Sequence, residues 1–461
     1  MTTLEALSQL FSDKHLLTDA DSLLHYGRDW SRVHQPDPLA IVFPESTEQV
    51  QALVKLANEH QFALVPSGGR TGLSGGAIAS NQEVVVSFDR MNKVLEFNAI
   101  DRSVRCQPGV ITAQLQQLAE DNDLFYPVDF ASSGSSQIGG NIATNAGGIK
   151  VIGYGLTRNW VSGLTVVTGE GKILELNHGL FKNATGYDLR HLFIGSEGTL
   201  GFITEATMQL TKTPQNLTVM VLGVPDVSSL MKVFETFRNA INPTAFESFI
   251  QRTVDIVHQE KGLPKPFETD APFYILLEFE NDSEARENKV LETFEYCAEQ
   301  GWVLDGVMSQ SEQQARDLWR LREDISESIN AFTPYKNDLS VRMSEIPAFL
   351  EQLEALVSAR YPDFEVVWYG HIGDGNLHLN ILKPADMPAE EFFKACATVN
   401  HEVFGLVKAM RGSISAEHGV GLIKRDYLNY SREEDEVAYM RAMKAVFDPN
   451  NVMNPGKMLT A

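Results

Sequence analysis

Cysteine is scarce in this 461-residue chain: Cys106, Cys297 and Cys396 stand far apart and form no Cys-x-x-Cys pattern. That disfavours a disulfide framework, an iron–sulfur cluster and attached c-type haem, and a reducing cytoplasmic compartment is expected. Long apolar runs are missing too. None approaches the roughly 20 residues of a membrane helix, and Met1-Thr2-Thr3-Leu4-Glu5-Ala6-Leu7 has no basic n-region, so neither a membrane span nor secretion is expected. Positive charge is in short supply, with 38 Lys and Arg against 61 Asp and Glu and a formal net charge of -23. No Lys/Arg run occurs, which argues against nucleic acid as a partner and makes any cation inside a pocket informative. Neither G-x-x-x-x-G-K-[ST] nor G-x-G-x-x-G occurs at the glycine-rich loops, so nucleoside triphosphate hydrolysis and a Rossmann dinucleotide site lose support.

The length calls for at least two domains. Ala40-Ile41-Val42-Phe43 is extended and apolar, and Ser46-Thr47-Glu48-Gln49 is a capping box opening a helix with Val50, Leu53, Val54 and Ala57 on one face. Strand signals return at Ala63-Leu64-Val65 and at 83–88, 94–97 and 103–107, before an amphipathic helix from Ile111. This is an α+β pattern rather than a regular βαβ repeat. Thr211-Lys212-Thr213-Pro214-Gln215 reads as a linker, after which longer helices and strands rich in Phe and Glu alternate. The turn-rich stretch from Asp448 through Asn454-Pro455-Gly456-Lys457 is expected to pack back onto the body. Domains are accordingly placed at 1–213 and 214–421, with a closing segment at 422–461.

Glycine is plentiful where strands end. Pro66-Ser67-Gly68-Gly69-Arg70-Thr71-Gly72-Leu73-Ser74-Gly75-Gly76 follows a strand, where the missing Cβ lets backbone N–H groups approach a phosphate. Ser132-Ser133-Gly134-Ser135-Ser136-Gln137-Ile138-Gly139-Gly140-Asn141-Ile142-Ala143-Thr144-Asn145 repeats that chemistry, and Gly195-Ser196-Glu197-Gly198-Thr199-Leu200-Gly201 is a third such loop. Any one of them alone is weak evidence, since a tight turn or hairpin is the alternative reading. Three together can wrap one extended ligand that carries a pyrophosphate.

The second half holds a different chemistry. Val366-Val367-Trp368-Tyr369 enters a Gly-Asp-Gly turn and Leu377-His378-Leu379-Asn380-Ile381-Leu382 leaves it in period-two alternation, a hairpin that can bring His371 opposite His378. Two imidazoles with the carboxylate of Glu417 make a three-ligand site for a divalent cation with an open position, and His418 beside it is a candidate base. Asn380 shares the His378 face and offers an amide that orients ligands. Neighbours on a regular strand face opposite ways, so Glu417 and His418 reach one site only if the backbone turns at Gly419 and Gly421, and their roles could be reversed.

The three loops, in this order, resemble the FAD-binding domain of the vanillyl-alcohol oxidase / p-cresol methylhydroxylase superfamily. The His371 to Asn380 hairpin, the Glu417-His418 pair and Asn454-Pro455-Gly456-Lys457 resemble its branch of D-lactate, glycolate and D-2-hydroxyglutarate dehydrogenases. The resemblance implies an α+β fold: a two-subdomain FAD-binding domain of the p-cresol methylhydroxylase type, a substrate domain built on an antiparallel sheet, and the closing segment. It implies that Pro66, Ser67, Gly68, Gly69, Arg70, Thr71, Gly72 and Leu73, with Ser133, Gly134, Ser135, Ile138, Gly139, Gly140, Asn141, Thr144 and Asn145, line the FAD. Glu197, Gly198 and Asn454 would contact it, His371, His378 and Glu417 would hold the metal, and His418 would be the base. Some members attach flavin through a histidine of the first loop; Arg70 and Thr71 stand in this one, so FAD is expected to be non-covalent.

A 2-hydroxy acid needs a cation for its carboxylate, a base for its hydroxyl and a hydride acceptor over C2. Positive charge near His418 is expected to keep it unprotonated, and activity is expected to fall on acidification. Arg322 and Lys336 are the candidates for carboxylate capture, Arg322 rather than Arg320 because the resemblance runs through Leu321-Arg322-Glu323 and Tyr335-Lys336-Asn337-Asp338. Ser326, where that family can have Thr, completes a set with two cations and a hydroxyl. Such a set suits a dicarboxylic hydroxy acid, D-2-hydroxyglutarate first and D-malate second. D-lactate or glycolate oxidation is the alternative, and a flavin-binding electron-transfer subunit is the reading of another class. Zinc leads as the metal, with manganese or cobalt open. The electron acceptor (electron-transfer flavoprotein, quinone or oxygen), a homodimer implied by the family, and the direction of Arg342 also stay open.

Overall fold

The computed structural model describes residues 1–31 and 34–460, and the chain forms two compact units. The first comprises 1–148, 155–213 and 417–461; the second comprises 149–154 and 214–416. Compared with the expected segments, 417–421 belongs with the first unit, and a short stretch after the second glycine loop belongs with the second.

In the first unit β1 (Leu16–Leu17), β2 (Ala40–Val42), β3 (Leu64–Ser67) and β4 (Val84–Ser87) form a sheet in the order β1-β2-β4-β3, with β2, β4 and β3 parallel. The helix Thr47–His60 covers it with Val50, Leu53, Val54 and Ala57, all fully buried. Each of the three larger side chains contributes about 1.5–3 kcal/mol by leaving water. Ser46 caps this helix by accepting from Gln49 N, while the Gln49 amide oxygen accepts from Glu45 N, one residue earlier than a strict capping box. A second, antiparallel sheet takes β5 (Val94–Asn98), β6 (Ser103–Cys106), β8 (Val161–Thr168), β9 (Ile173–Leu176) and β10 (Gly201–Gln209) in the order β5-β6-β10-β8-β9, while β7 (Leu124–Phe125) pairs with β11 (Thr211–Lys212). The closing segment returns to the edge strand β3: Leu64 N–H donates to Val452 O and Asn454 N–H to Leu64 O, both at 2.7 Å.

The second unit is one antiparallel seven-stranded sheet of β12 (Leu217–Val224), β13 (Ala245–Ile250), β14 (Phe273–Glu280), β15 (Asp305–Met308), β16 (Tyr335–Ser340), β17 (Glu365–Gly370) and β18 (Asn376–Leu382), in the order β15-β12-β14-β13-β17-β18-β16. One face carries Phe249, Tyr274, Leu276, Val367 and Tyr369 against Leu318 and Trp319 of the helix Glu312–Glu323, which presents Arg322 to the same face. β17 and β18 are the expected hairpin, closed by a turn in which Gly375 adopts φ 89°.

Candidate functional site

In the first unit the three glycine loops touch one another. A Cβ on Gly69 would stand 2.2 Å from Ser135 O, and one on Gly198 would stand 2.5 Å from Pro66 Cγ. The third loop is tied to the helix Ile138–Thr144 of the second by Glu197 N–H to Ala143 O and Gly195 N–H to Ile142 O. Only glycine permits the first two approaches, which is the physical content of the glycine pattern. Arg70, at φ 59°, donates to Gly68 O at 2.8 Å, lies over the Tyr26 ring and pairs with Asp89. Ser67 is buried at the end of β3, and Thr71, Gly72 and Leu73 carry the loop outward, with Gly72 O accepting from Trp30 N.

Several residues of the second loop spend their side chains locally. Asn141 donates to Thr112 Oγ1 at 2.6 Å, Ser133 bonds Asp129 and Phe130, Thr144 bonds Gly140 O, and Asn145 Oδ1 accepts from Arg158 N. Ile138 is core, and a Cβ on Gly139 would strike Pro108, whereas Gly134 and Gly140 face open space. Ser135 stands exposed beside Gly134. Two buried amide oxygens, Gln137 Oε1 and Asn454 Oδ1, have no hydrogen-bond partner among the described residues. Asn454 is fixed by donating to Gly76 O and Glu197 O at 2.9 and 2.8 Å. Unsatisfied buried acceptors are uncommon in a folded protein, and an amide oxygen of this kind suits a partner that brings its own donor.

Glu197 turns its carboxylate to the return segment. Its carboxylate accepts from Val420 N–H at 2.7 Å and Gly421 N–H at 2.8 Å, clasping the segment just beyond Glu417 and His418. Burial raises its pKa above the ordinary glutamate value, opposed by those two N–H groups and by Lys424. Gly419 and Gly421 have φ of 80° and 50°, so the backbone turns here as the sequence requires. Glu417 Oε1 and His418 Nε2 come within 3.9 Å, both side chains about a quarter exposed or less.

In the second unit β18 places His378 opposite Asp338 of β16 and opposite Tyr369 of β17, and Asn380 opposite Lys336. Cross-strand partners share a face, so Lys336, Asp338, His378 and Asn380 line one side of the sheet. His371 and His378 have ring centroids 5.3 Å apart, and His378 Nδ1 is 3.8 Å from Asp338 Oδ1. Asn376 donates to that Asp338 oxygen at 2.9 Å, and Asn380 donates to the His378 carbonyl at 3.0 Å. Lys336 donates to Ser326 Oγ at 3.3 Å. As a residue it is exposed, yet protein packed around its ammonium pulls its pKa below the ordinary lysine value. Arg322 is buried over the Tyr369 ring at 4.6 Å, with Nε 2.8 Å from Glu247 Oε2, whereas Arg320 is half exposed and pairs with Asp324. Arg342 points outward to Glu345, which settles its direction.

Ser415 bridges Asp338, and Ala416, the last residue of this unit, has its N–H 3.4 Å from Asp338 O, so the chain itself leads from Asp338 into Glu417. Asp338 and His378 offer ligand atoms within 4.8 Å of each other, as do Glu417 and His418. Imidazole and carboxylate donors suit zinc, manganese or cobalt. Sequence reasoning missed Asp338 as a candidate ligand, and it missed Glu247, whose carboxylate meets both His371 and Arg322. An acid at an inward position of the apolar strand Ala245-Phe246-Glu247-Ser248-Phe249-Ile250 was the available signal for Glu247.

Residues 38–177 match the profile of an FAD binding domain, and residues 213–458 match that of the C-terminal domain of FAD linked oxidases. The chain is 63% identical over 458 residues to a D-2-hydroxyglutarate dehydrogenase of Stutzerimonas stutzeri (strain A1501), covering 99% of both. It is 52% identical to one of Xanthomonas citri pv. viticola, covering 98% of this chain and 96% of that one. With the mitochondrial enzyme of that name from Bos taurus it shares 35% over 96% of this chain and 81% of the relative. Among solved structures, p-cresol methylhydroxylase with substrate bound superposes with a TM-score of 0.78 at 15% identity, covering 99% of this chain and 96% of that one. The 4-ethylphenol oxidase of Gulosibacter chungangensis does so at 0.76 and 18%, with coverages of 99% and 96%. These two show the p-cresol methylhydroxylase-type fold. By its matched domains and by its end-to-end identity with these relatives, the chain belongs to the FAD-linked oxidase family, in the group of the D-2-hydroxyglutarate dehydrogenases.

Proposed function

We propose that this protein oxidises D-2-hydroxyglutarate, and D-malate as a shorter analogue, to the 2-oxo acid with FAD as hydride acceptor. The observation that carries the reading is the sheet face of the second unit. It gathers two cations, Arg322 and Lys336, with the Ser326 hydroxyl near an imidazole–carboxylate set. Two cations and a hydroxyl suit a substrate with two carboxylates, and the relatives' shared name points the same way.

Arg322 takes one substrate carboxylate through its planar fork, and Lys336 with Ser326 takes the other as point charge and hydroxyl. His371, His378 and Glu417 would hold a divalent cation, zinc before manganese or cobalt, with Asp338 as a further carboxylate within reach of His378. Such a cation, when bound, supplies the charge that lowers the pKa of the substrate hydroxyl. His418 accepts the hydroxyl proton, and Asn380 orients the substrate from the His378 face. FAD, held non-covalently by the three loops and Asn454, supplies the acceptor for the hydride leaving C2. Electrons then pass to an electron-transfer flavoprotein or a quinone. Three free, buried cysteines favour a cytoplasmic home, and a homodimer is the expected assembly. No helix among the described residues is long and apolar enough to cross a membrane.

The test is the flavin spectrum recorded anaerobically while D-2-hydroxyglutarate, D-malate and D-lactate are added in turn, before and after chelation. Bleaching by D-2-hydroxyglutarate that the chelator abolishes is expected. Preferential bleaching by D-lactate replaces the substrate, and a flavin that no hydroxy acid reduces defeats the reading.

A further inference from the structure

Glu247 is a carboxylic side chain on β13 with 1% side-chain exposure, in a strand whose other residues are buried or partly buried, and it has no part in the chemistry above. A carboxylate out of water is costly unless its oxygens find donors. Oε1 lies 2.7 Å from His371 Nδ1, and since a carboxylate only accepts, that nitrogen must carry the proton. The other ring nitrogen, Nε2, then keeps its lone pair. Oε2 lies 2.8 Å from Arg322 Nε, an ion pair by distance in which the N–H is not aligned, so neither atom has a proper hydrogen bond among the described residues. One carboxylate therefore touches both a proposed metal ligand and a proposed substrate anchor.

We propose that Glu247 is a positioning residue that presets both groups. It holds His371 in the tautomer whose Nε2 can ligate the cation, and it pins the Arg322 guanidinium at Nε over the Tyr369 ring so that the terminal nitrogens are aimed at the substrate carboxylate. Carboxylates behind ligating imidazoles fix ring orientation and raise ligand basicity. The planar fork loses less freedom per bond when it is already held. This inference rests on the preceding reading, in which His371 is a ligand and Arg322 an anchor.

The experiment measures Zn²⁺ affinity of the flavin-loaded protein by competition with a metallochromic chelator, alongside FAD content and the KM for D-2-hydroxyglutarate. Glu247→Gln keeps the volume and one acceptor but removes the charge and sets an amide NH₂ against Arg322. Its Zn²⁺ affinity should fall about 10- to 100-fold, with a raised KM and unchanged FAD content. In a His371→Ala background the same substitution should cost no further Zn²⁺ affinity, because the two groups act as a unit. Glu247→Asp, which keeps the charge but shortens the reach, should fall between, and it supplies a readout if the Gln variant folds poorly. Wild-type Zn²⁺ affinity in a folded Gln variant, or a further tenfold loss in the His371→Ala background, overturns the role of Glu247 and leaves the metal reading standing. A wild-type protein that binds no Zn²⁺ overturns both.

Discussion

Replacing Glu197 with Gln should loosen the clasp on the segment that carries Glu417 and His418 without expelling the flavin. Glu197 accepts two short backbone N–H bonds, from Val420 and Gly421. Gln keeps one acceptor and turns an NH₂ towards the other N–H, so one charge-assisted bond, worth about 1.5–3 kcal/mol, is lost. Burial of the carboxylate offsets little of this when the segment opens locally, because Glu197 then stays buried without its partners. The opening equilibrium should shift by about 10- to 150-fold. Hydrogen exchange resolved to the 417–423 peptide reads it directly, with an FAD titration as control. Global unfolding should respond differently, since there the side chain regains water. The folded-state pKa of Glu197 lies above its usual value of 4.5, so the stability this group contributes is complete below that value and is lost as pH rises through the raised pKa. The Gln variant, always neutral, should lack that dependence, and its exchange rates should approach those of the wild type on acidification. Unchanged exchange at 417–423 near neutral pH would refute the reasoning.

His418→Ala should retain flavin and lose anaerobic flavin reduction by a factor of about 100 or more; a variant that still bleaches at the wild-type rate removes His418 from the role of base. Lys336, its pKa lowered by burial, sheds its charge as pH rises before an ordinary lysine would, so kcat/KM for a dicarboxylate should fall on that alkaline limb. Lys336→Arg should remove the limb because guanidinium stays charged, and coincident profiles would exclude Lys336 from substrate capture. Gly69→Ala should destabilise the first unit by about 1–3 kcal/mol or more, since its Cβ would stand 2.2 Å from Ser135 O. Gly140→Ala, which meets nothing within 4 Å, should leave the flavin-free melting temperature unchanged or raised and weaken FAD binding only if that space belongs to the cofactor.

Local chemistry was legible wherever it repeats at short range. The buried face of Thr47–His60 followed from its 3.6-residue spacing, and the hairpin around His371 and His378 from alternation broken by glycines. The same local reading could not find Asp338, because it meets His378 only through the pairing of β16 with β18, two strands about 40 residues apart. Glu247 escaped for the same reason, since its partners Arg322 and His371 arrive from other elements. Glycines proclaimed three loops but not the division of labour among their side chains: Asn141 turns to Thr112, and Glu197 to the return segment. Arg342 was ambiguous in sequence because an arginine's direction depends on its neighbours, here Glu345.

The closing segment has a consequence for biosynthesis. Asn454 and Gly76 are 378 residues apart, and the N–H and C=O of Leu64 find their partners only when Val452 and Asn454 have been made. At about 5–20 residues per second of translation, the edge of β3 waits roughly 20–75 s for its cover. In that interval the second unit, contiguous in sequence apart from 149–154, can complete its own sheet first. Nascent chains stalled before residue 450 should therefore expose an unpaired strand edge, the hazard that invites pairing with other chains.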